Sequence, residues 1–426
     1  MKMKICLFLV LLLASLSSGA QDIEYAKSIV ATLAAPEMKG RGYVEGGDQL
    51  AAQFIQSEFE KAGLKRFKKS YFQNYTTPVN SFPGKMGVKI NGLDLIPGKD
   101  FLIDAGSPSV KGVYKTVNLH VADILDPARL RNRLRGSESK FIVLEAYNAV
   151  DYKKEELERV KDFVNYLKYS PENISAGSIF LTTAKLTWGG STSQNKKASF
   201  TVKVDSAAAE IEQVEFDVEA VFIEKHKSQN VVAYVEGEKK DSFVVLVAHY
   251  DHLGMMGSSA CFPGANDNAS GVSMLLSLAK YYSVHKPKYT IVFIAFGGEE
   301  IGLVGAKYFV ENPVIDLKKI KFLLNFDLAG TGDDGIQVVN GSVHQDKFDL
   351  LTEINNENKL LKEVRIRGEA CNSDHCMFHM KKVPCFFIYT LGGIQAYHDI
   401  YDIAETLPLT EFEDYFKLMT MFIQKL

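Results

Sequence analysis

The segment Val244–Gly271 constrains the fold of this chain more than any other stretch. It includes most of an apolar run, Phe243–Ala248, which has the length and composition of a buried β-strand. His249 and Asp251 follow this run, and a glycine-containing loop then leads to a helix start near Asn268. Polar groups at the carboxyl end of a buried strand occupy the place where open α/β sheets bind ligands. Because an unpaired buried carboxylate is unstable, these groups are expected to pair with each other or with metal.

From Val231 onward, strand-like apolar runs alternate with helix-like segments. This alternation predicts an α/β fold with a mostly parallel central sheet flanked by helices. The predicted strands are Phe243–Ala248, Tyr289–Phe296, Lys321–Asp327 and Pro384–Tyr389. The predicted helices are Gly271–Tyr282, Ile301–Glu311, Gln345–Asn355 and Thr410–Lys425, with two more near the N-terminus at Asp22–Ala34 and Gly46–Ala62.

The chain between about Asn74 and Glu215 has a different character. Short β-like runs are interrupted there by two charged helical stretches, and no cluster of histidines and carboxylates occurs. We therefore predict a smaller β-rich domain at residues 76–215, inserted into a larger, discontinuous domain formed by residues 21–75 and 216–426. The predicted strands of the insertion are Gly87–Ile90, Lys140–Leu144, Ser178–Thr182 and Ser199–Val204, and its predicted helices are Ala128–Leu134 and Lys153–Tyr169.

Met1–Ala20 has the pattern of a secretory signal peptide. Two lysines precede an apolar core, and small residues precede a cleavage site near Ala20. This predicts a secreted or periplasmic protein. The apolar run is too short to span a bilayer, and no later stretch is long and apolar enough to do so. The sequence therefore predicts no membrane span.

The charge balance argues against nucleic acid as a partner. The chain has 49 basic and 52 acidic residues and a formal net charge of −3, without a basic stripe. In an oxidising compartment some of the cysteines can pair. Cys371 and Cys376 are the nearest in sequence, but the sequence does not fix a connectivity. It also leaves the oligomeric state open.

Groups that can bind metal or move a proton lie near the ends of the predicted strands. Two adjacent carboxylates, Glu299 and Glu300, repel each other unless a cation lies between them. One of them can bind metal while the other faces the reacting atoms. Imidazole and carboxylate ligands together suit zinc, or manganese and cobalt, and a bridging carboxylate allows two ions. The candidate residues are His249, Asp267, Glu299, Glu300, Asp327 and His398.

These motifs resemble the secreted di-zinc peptidases of the aminopeptidase, glutamate carboxypeptidase and glutaminyl cyclase group. The resemblance covers most of Val231–Leu407 in order and spacing. The insertion resembles, more loosely, the protease-associated insertion of many members. The matching pieces are His249–His252, Gly264–Gly271, Gly298–Gly305, Asn325–Asp327, Ser373–His375 and His398–Asp402, together with Lys39–Arg41 near the N-terminus.

The resemblance implies two zinc ions per chain and a peptide substrate. His249 and Asp327 would hold one ion, and Glu300 and His398 would hold the other. Asp267 would bridge both ions.

Further roles follow from the same resemblance. Asp267 would have a strained peptide bond to Asn268, for which the cis form is one expectation. Glu299 would be the general base that takes a proton from water and returns it to the leaving amine.

Several other residues are assigned supporting roles or none. Asp251 would orient His249, and Asp402 would do the same for His398. Tyr397 and His375 are the candidates for polarising the scissile carbonyl. The histidines interpreted as non-ligands are His252, His344 and His379.

Among the possible activities, the residues favour an aminopeptidase. The inferred pocket is rich in carboxylates, and no arginine lies in any metal motif, so a cationic α-amine is favoured over a terminal carboxylate. The loop Leu391–Tyr397, which carries no charge, is predicted to form one wall and to suit neutral N-terminal side chains. The insertion would limit entry to short or unfolded peptides.

Three alternatives remain. A glutaminyl cyclase would place a tryptophan near its substrate, but Trp188, the only one, lies in the insertion. A carboxypeptidase for acidic peptides needs an arginine patch, and the arginines at positions 129, 131, 133 and 135 do not share one helix face. A binding protein that has lost catalysis would lack some ligands, whereas all five ligands and Glu299 are present.

Overall fold

The computed structural model describes residues 23–205 and 210–426. The predicted signal peptide, Met1–Ala20, lies outside the described residues. Within the part of the chain that is described, no helix is both long and apolar enough to cross a membrane.

The first sheet has eight strands, and its centre is parallel. The strand that ends at His249 pairs in parallel with strands on both sides, and a fourth parallel strand follows. The outer strands add antiparallel pairs on both sides of this centre. This confirms the predicted α/β class. In spatial order the strands are Phe72–Ser81, Val221–Val235, Tyr289–Phe296, Lys239–His249, Ile320–Phe326, Cys385–Thr390, Ile336–Val339 and Val364–Ile366.

Helices cover both faces of this sheet because its central strands are apolar on both faces. In the central strand, Val244 and Leu246 pack into one hydrophobic cluster, whereas Val245 and Val247 pack into another. Alternate side chains of a strand point to opposite faces, so two helical layers are needed to bury them. The first layer contains Ile23–Leu33, Gly47–Lys61, Gly271–Val284, Gln345–Asn358 and Phe412–Lys425, and the second contains Val304–Glu311 and His375–Met380.

The predicted insertion contains most of a second sheet. Its helices, Val121–Leu125, Pro127–Arg133 and Lys154–Tyr169, pack on one face over a separate cluster. That residues 76–215 form an independent domain remains a prediction. The strands, in spatial order, are Leu93–Asp94, Met86–Ile90, Gln213–Val218, Val110–Leu119, Phe141–Leu144, Gly177–Thr182, Ala198–Lys203 and Phe101–Ile103.

Two paired strands connect the sheets. Phe72–Ser81 and Val221–Val235 run antiparallel, with Ser81 opposite Val221, so the chain leaves and re-enters the first sheet at the same place. Near the cleft, a short hairpin is formed by Gly254–Met256 and Ala260–Phe262. The remaining turns are Pro36–Arg41, Val44–Gly46, Ala149–Asp151, Leu317–Lys319 and Ala404–Thr406, which are 3₁₀-helical, and the π-helical turn Ala265–Ser270.

The structure settles one cysteine pairing that the sequence left open. Cys371 and Cys376 form a disulfide, whereas Cys261 and Cys385 are free thiols. One predicted helix begins later than expected, at Val304 instead of Ile301. Residues 299–303 form a turn that begins with Glu299 and Glu300, and Leu303 has a left-handed conformation just before the helix.

Candidate metal centre

The predicted ligands come together because parallel strands end at one edge of the sheet. His249 is the last residue of its strand, Asp327 follows the strand on one side, and Glu299 and Glu300 follow the strand on the other. Asp267 lies in the π-helical turn before helix Gly271–Val284, and His398 lies in a loop after strand Cys385–Thr390. All six predicted residues line one cleft, whose volume is about 320 Å³.

Asp267 lies between two imidazoles. Its Oδ1 is 3.3 Å from His249 Nε2, and its Oδ2 is 3.0 Å from His398 Nε2. His249 Nε2 is also 3.5 Å from Asp327 Oδ1, and His398 Nε2 is 3.3 Å from Glu300 Oε2. The five groups therefore form two sets, each with one imidazole and one carboxylate, and Asp267 is shared by both.

The backbone around Asp267 is held from two sides. The buried guanidinium of Arg41 donates to the carbonyls of Tyr250 at 2.7 Å, Gly264 at 2.7 Å and Asp267 at 3.2 Å. The carboxylate of Asp402 accepts from the N–H of Asp267 at 2.9 Å and from the preceding N–H at 2.8 Å. The peptide bond between Asp267 and Asn268 is cis, one of the forms expected.

The orientation of the two imidazoles corrects one expectation and refines another. Asp402 holds the Asp267 backbone and does not orient His398, whose Nδ1 donates to the backbone carbonyl of Trp188 at 2.9 Å. His249 Nδ1 donates to the backbone carbonyl of Asp251 at 3.1 Å, while the Asp251 carboxylate is 3.9 Å away. That carboxylate accepts instead from the N–H groups of Glu299 and Glu300.

The charges of the cleft shift the pKa values of both imidazoles. Burial acts to lower the pKa of His249, but Asp327, Glu299 and Asp267 raise it well above its ordinary value. Burial likewise acts to lower the pKa of His398, but Asp267 and Glu300 raise it to about 11. The carboxylates thus create a negative potential that draws protons onto the histidines, and a cation would be stabilised in the same place.

Glu299 differs from the five predicted ligands in its surroundings. Burial raises the pKa of Glu299 well above its usual range, and Glu300, Asp374 and Asp327 act in the same direction. Burial also raises the pKa of Asp374 to about 8, and neither of its oxygens has a hydrogen-bond partner among the described residues. A carboxylate whose pKa is raised by burial is a stronger base than a free one, which suits Glu299 to proton transfer.

The donor set fits divalent zinc. Two imidazoles and three carboxylates converge with their ligand atoms in a buried cleft, and zinc prefers this mixture of nitrogen and oxygen ligands. Removing so many carboxylates from water is unfavourable unless positive charge compensates them.

Comparison with known proteins identifies the part of the chain that builds this cleft. Residues 230–423, which are just under half of the chain, match peptidase family M28. This chain carries an M28 peptidase domain. The match confirms the family that the motifs predicted.

Individual relatives are similar to shorter parts of the chain. A probable zinc metalloprotease of Pyricularia oryzae is 39% identical over 114 residues, which are 26% of this chain and 23% of that protein. Aminopeptidase YwaD of Bacillus subtilis is 32% identical over 133 residues, or 30% of this chain and 28% of the relative. The chain thus spans about a quarter of the length of these curated relatives.

Solved structures resemble the fold over nearly the whole chain. A zinc aminopeptidase from Bacillus subtilis has a TM-score of 0.68 at 17% identity and covers 94% of both chains. A peptidase M28 precursor from Shewanella amazonensis also has a TM-score of 0.68 at 17% identity, covering 95% of this chain and 93% of the other. At this identity the likeness establishes the fold alone.

Of the two candidates for polarising a substrate carbonyl, the M28 cleft contains only one. Tyr397 lines the cleft and its ring stacks on His398, with ring centres 4.0 Å apart. His375 is buried and its Nε2 donates to the carbonyl of Ala370 at 2.9 Å, so it is engaged outside the cleft lining.

Sequence reasoning missed two residues of the M28 site. His252 Nδ1 is 2.7 Å from Glu300 Oε1, so Glu300 lies between two imidazoles. Arg367 lines the cleft and its guanidinium donates to Tyr389 at 3.1 Å, with no carboxylate partner among the described residues. No arginine lies in any metal motif, as the sequence showed, but Arg367 reaches the pocket from a position after a short edge strand that lies outside those motifs.

Proposed function

We propose that this chain is a zinc-dependent aminopeptidase that binds two zinc ions and removes N-terminal residues from peptides. The observation that supports two ions best is the position of Asp267, whose two oxygens approach two different imidazoles. His249 and Asp327 would hold one ion, Glu300 and His398 the other, and Asp267 both. The predicted signal peptide would deliver the protein to the periplasm or the exterior.

The protein groups supply the proton transfers and the positioning. Zinc bound in the cleft would polarise the scissile carbonyl and lower the pKa of water. Glu299, whose pKa is raised by burial, takes a proton from the attacking water and gives it to the leaving amine. Tyr397 lines the same cleft, and its hydroxyl is our candidate donor to the carbonyl oxygen.

Charge complementarity suggests how the substrate is recognised. An aminopeptidase binds a protonated α-amine, and the cleft is lined by carboxylates, among them Glu299, which would not hold zinc. Neutral N-terminal residues stay the predicted preference, because the loop Leu391–Tyr397 carries no charge. Peptides beginning with leucine, glutamate or lysine would test that preference.

A matched pair of peptides tests the proposed reaction. Zinc-loaded protein should cleave the first bond of a peptide with a free N-terminus and fail on its N-acetylated form, because acetylation removes the cation. Equal cleavage of both peptides would reject the aminopeptidase assignment but would still be consistent with a metal-dependent hydrolase. A glutaminyl cyclase would instead cyclise N-terminal glutamine without cleavage; against it, the indole of Trp188 donates to the carbonyl of Ile103 at 2.8 Å and does not line the cleft.

Arg367 favours one second candidate, a carboxypeptidase for small or acidic peptides. A guanidinium without a carboxylate partner in the cleft can bind a terminal or side-chain carboxylate of a substrate. A carboxypeptidase would cleave the N-acetylated peptide and fail on a C-terminal amide. Arg367→Gln should then raise KM, whereas Arg365→Gln, which removes an exposed arginine paired with Glu363, serves as the matched control.

A further inference from the structure

A loop of the insertion reaches the M28 cleft and contacts a predicted ligand directly. Trp188 N–H donates to the backbone carbonyl of His398 at 2.9 Å, and His398 Nδ1 donates to the backbone carbonyl of Trp188 at 2.9 Å. A histidine that donates from Nδ1 keeps Nε2 free to bind metal. The insertion thus determines which nitrogen of His398 faces Asp267 and Glu300.

A second contact holds the chain around His398. Lys185, three residues before Trp188, lies 2.6 Å from the Asp399 carboxylate and donates to the carbonyl of Gln395 at 2.6 Å. Asp399 is only 5% exposed, so this ion pair is shielded from water on one side. The ligand loop is therefore tied to the insertion on both sides of His398.

Trp188 is itself fixed by its surroundings. Its indole Nε1 donates to the carbonyl of Ile103 in the second sheet at 2.8 Å. The indole ring packs on Phe262 of the cleft hairpin, with ring centres 4.7 Å apart, and it is 9% exposed. The carbonyl that accepts from His398 is thus held by the core of the insertion.

The backbone of His398 needs such support. Its φ angle is 53°, in the left-handed region that residues other than glycine adopt at a cost. The hydrogen bond from Trp188 N–H to the carbonyl of His398 stabilises this conformation, in which the imidazole reaches Asp267 and Glu300.

We propose that Lys185 and Trp188 of the insertion are positioning residues for the second zinc site, the one formed by Glu300 and His398. The insertion then contributes to metal affinity in addition to limiting access to the cleft. This inference rests on the proposed two-zinc function.

Zinc titration of the metal-free protein against a competing chelator tests the proposal. His398→Ala first identifies the binding phase that belongs to the second site. Lys185→Met and Trp188→Ala should weaken that phase by about 10- to 100-fold, the usual effect of losing a group that orients a ligand. The phase of His249 and Asp327 should keep its wild-type affinity.

Lys168→Met is the matched control. Lys168 pairs with Asp104 at 2.7 Å inside the insertion, and among the described residues it forms no hydrogen bond or ion pair with the His398 loop. It should leave both affinities unchanged. Both replacements keep the backbone N–H and carbonyl of residue 188, but Trp188→Phe also keeps most of the packing that holds them, so it should lose less affinity than Trp188→Ala.

The outcomes separate this inference from the proposed function. Folded Lys185→Met protein with both affinities unchanged overturns the inference, and so does an equal loss in Lys168→Met. Circular dichroism of each metal-free variant verifies folding, and Lys185→Met decides the matter if Trp188→Ala does not fold. Wild-type protein that binds no zinc would overturn the proposed function and the inference together.

Discussion

At the scale of single residues, Asp267 is the group on which both halves of the proposed centre depend. Its oxygens are the only atoms that approach both imidazoles among the described ligand contacts. Because Asp267 would be shared by both sites, its loss should affect both of them, whereas the loss of another ligand should affect mainly one.

Asp267→Asn should weaken both zinc sites together. The amide keeps the shape of the side chain but replaces one ligand oxygen with an NH₂ group, which cannot bind a cation. His249→Ala, by comparison, should weaken mainly one site. Elemental analysis after dialysis against a weak chelator measures the difference. Retention of two zinc ions by folded Asp267→Asn protein would contradict a bridging carboxylate.

Substitutions of the adjacent carboxylates Glu299 and Glu300 should distinguish a loss of catalysis from a loss of metal binding. Glu299→Gln removes the proton acceptor and should lower kcat by about 100-fold or more, while zinc content survives. Glu300→Gln should lower zinc occupancy. If Glu299→Gln loses metal while Glu300→Gln stays loaded and inactive, the two roles are reversed.

His252 should act on zinc through Glu300. His252→Ala removes the group 2.7 Å from Glu300 Oε1 and should weaken the second site by about 10-fold or more. His252→Gln, which can still donate, should recover part of the affinity. His379→Ala is the control, because His379 does not line the cleft and pairs with Glu369 instead. Equal zinc affinity in wild type and folded His252→Ala would show that Glu300 needs no such support.

At the scale of elements, the strand ends explain why the site could be predicted. Phe243–Ala248 and Tyr289–Phe296 are apolar runs bounded by polar groups, so both the strands and the residues after them stand out in the sequence. Because the two strands are parallel neighbours, His249 lies beside the turn that contains Glu299, and no other information is needed to predict this. The convergence of these strand-end residues could be predicted from the sequence. Their roles as metal ligands remain a prediction.

Contacts between distant segments could not be predicted in this way. Trp188 and His398 are 210 residues apart, and they meet through backbone atoms, which no residue type signals. Arg367 follows the three-residue edge strand Val364–Ile366, which is too short to show an alternating pattern. The family resemblance implied that Asp402 orients His398, but its carboxylate accepts from backbone N–H groups instead.

Arg41 links the N-terminal turn to the Asp267 loop, and its removal should destabilise the fold. Arg41→Met would leave several buried carbonyls without donors, each worth about 1–3 kcal/mol, so we expect a loss of about 3 kcal/mol or more. Urea denaturation of the metal-free protein measures it. Arg66→Met, which removes a guanidinium near the Tyr71 ring, is the control, and a comparable loss there would contradict a special role for Arg41.

At the scale of the whole molecule, both sheets belong to one architecture. The zinc aminopeptidase fold from Bacillus subtilis covers 94% of this chain, so the similarity includes the insertion as well as the M28 domain. Sequence identity of 17% accompanies this likeness, which means that the fold is specified by patterns of burial and turns more than by particular residues.

The contact between Trp188 and His398 has a consequence for folding. Joining residues 210 positions apart restricts a very long stretch of chain, and such distant contacts form slowly and late. Each sheet is built largely from its own segment, so the cleft should acquire its second imidazole only when the two sheets dock. Zinc, which binds the docked form, would then favour docking by mass action. A chain in which both sheets have folded but have not yet docked would therefore have an incomplete second metal site and no peptidase activity.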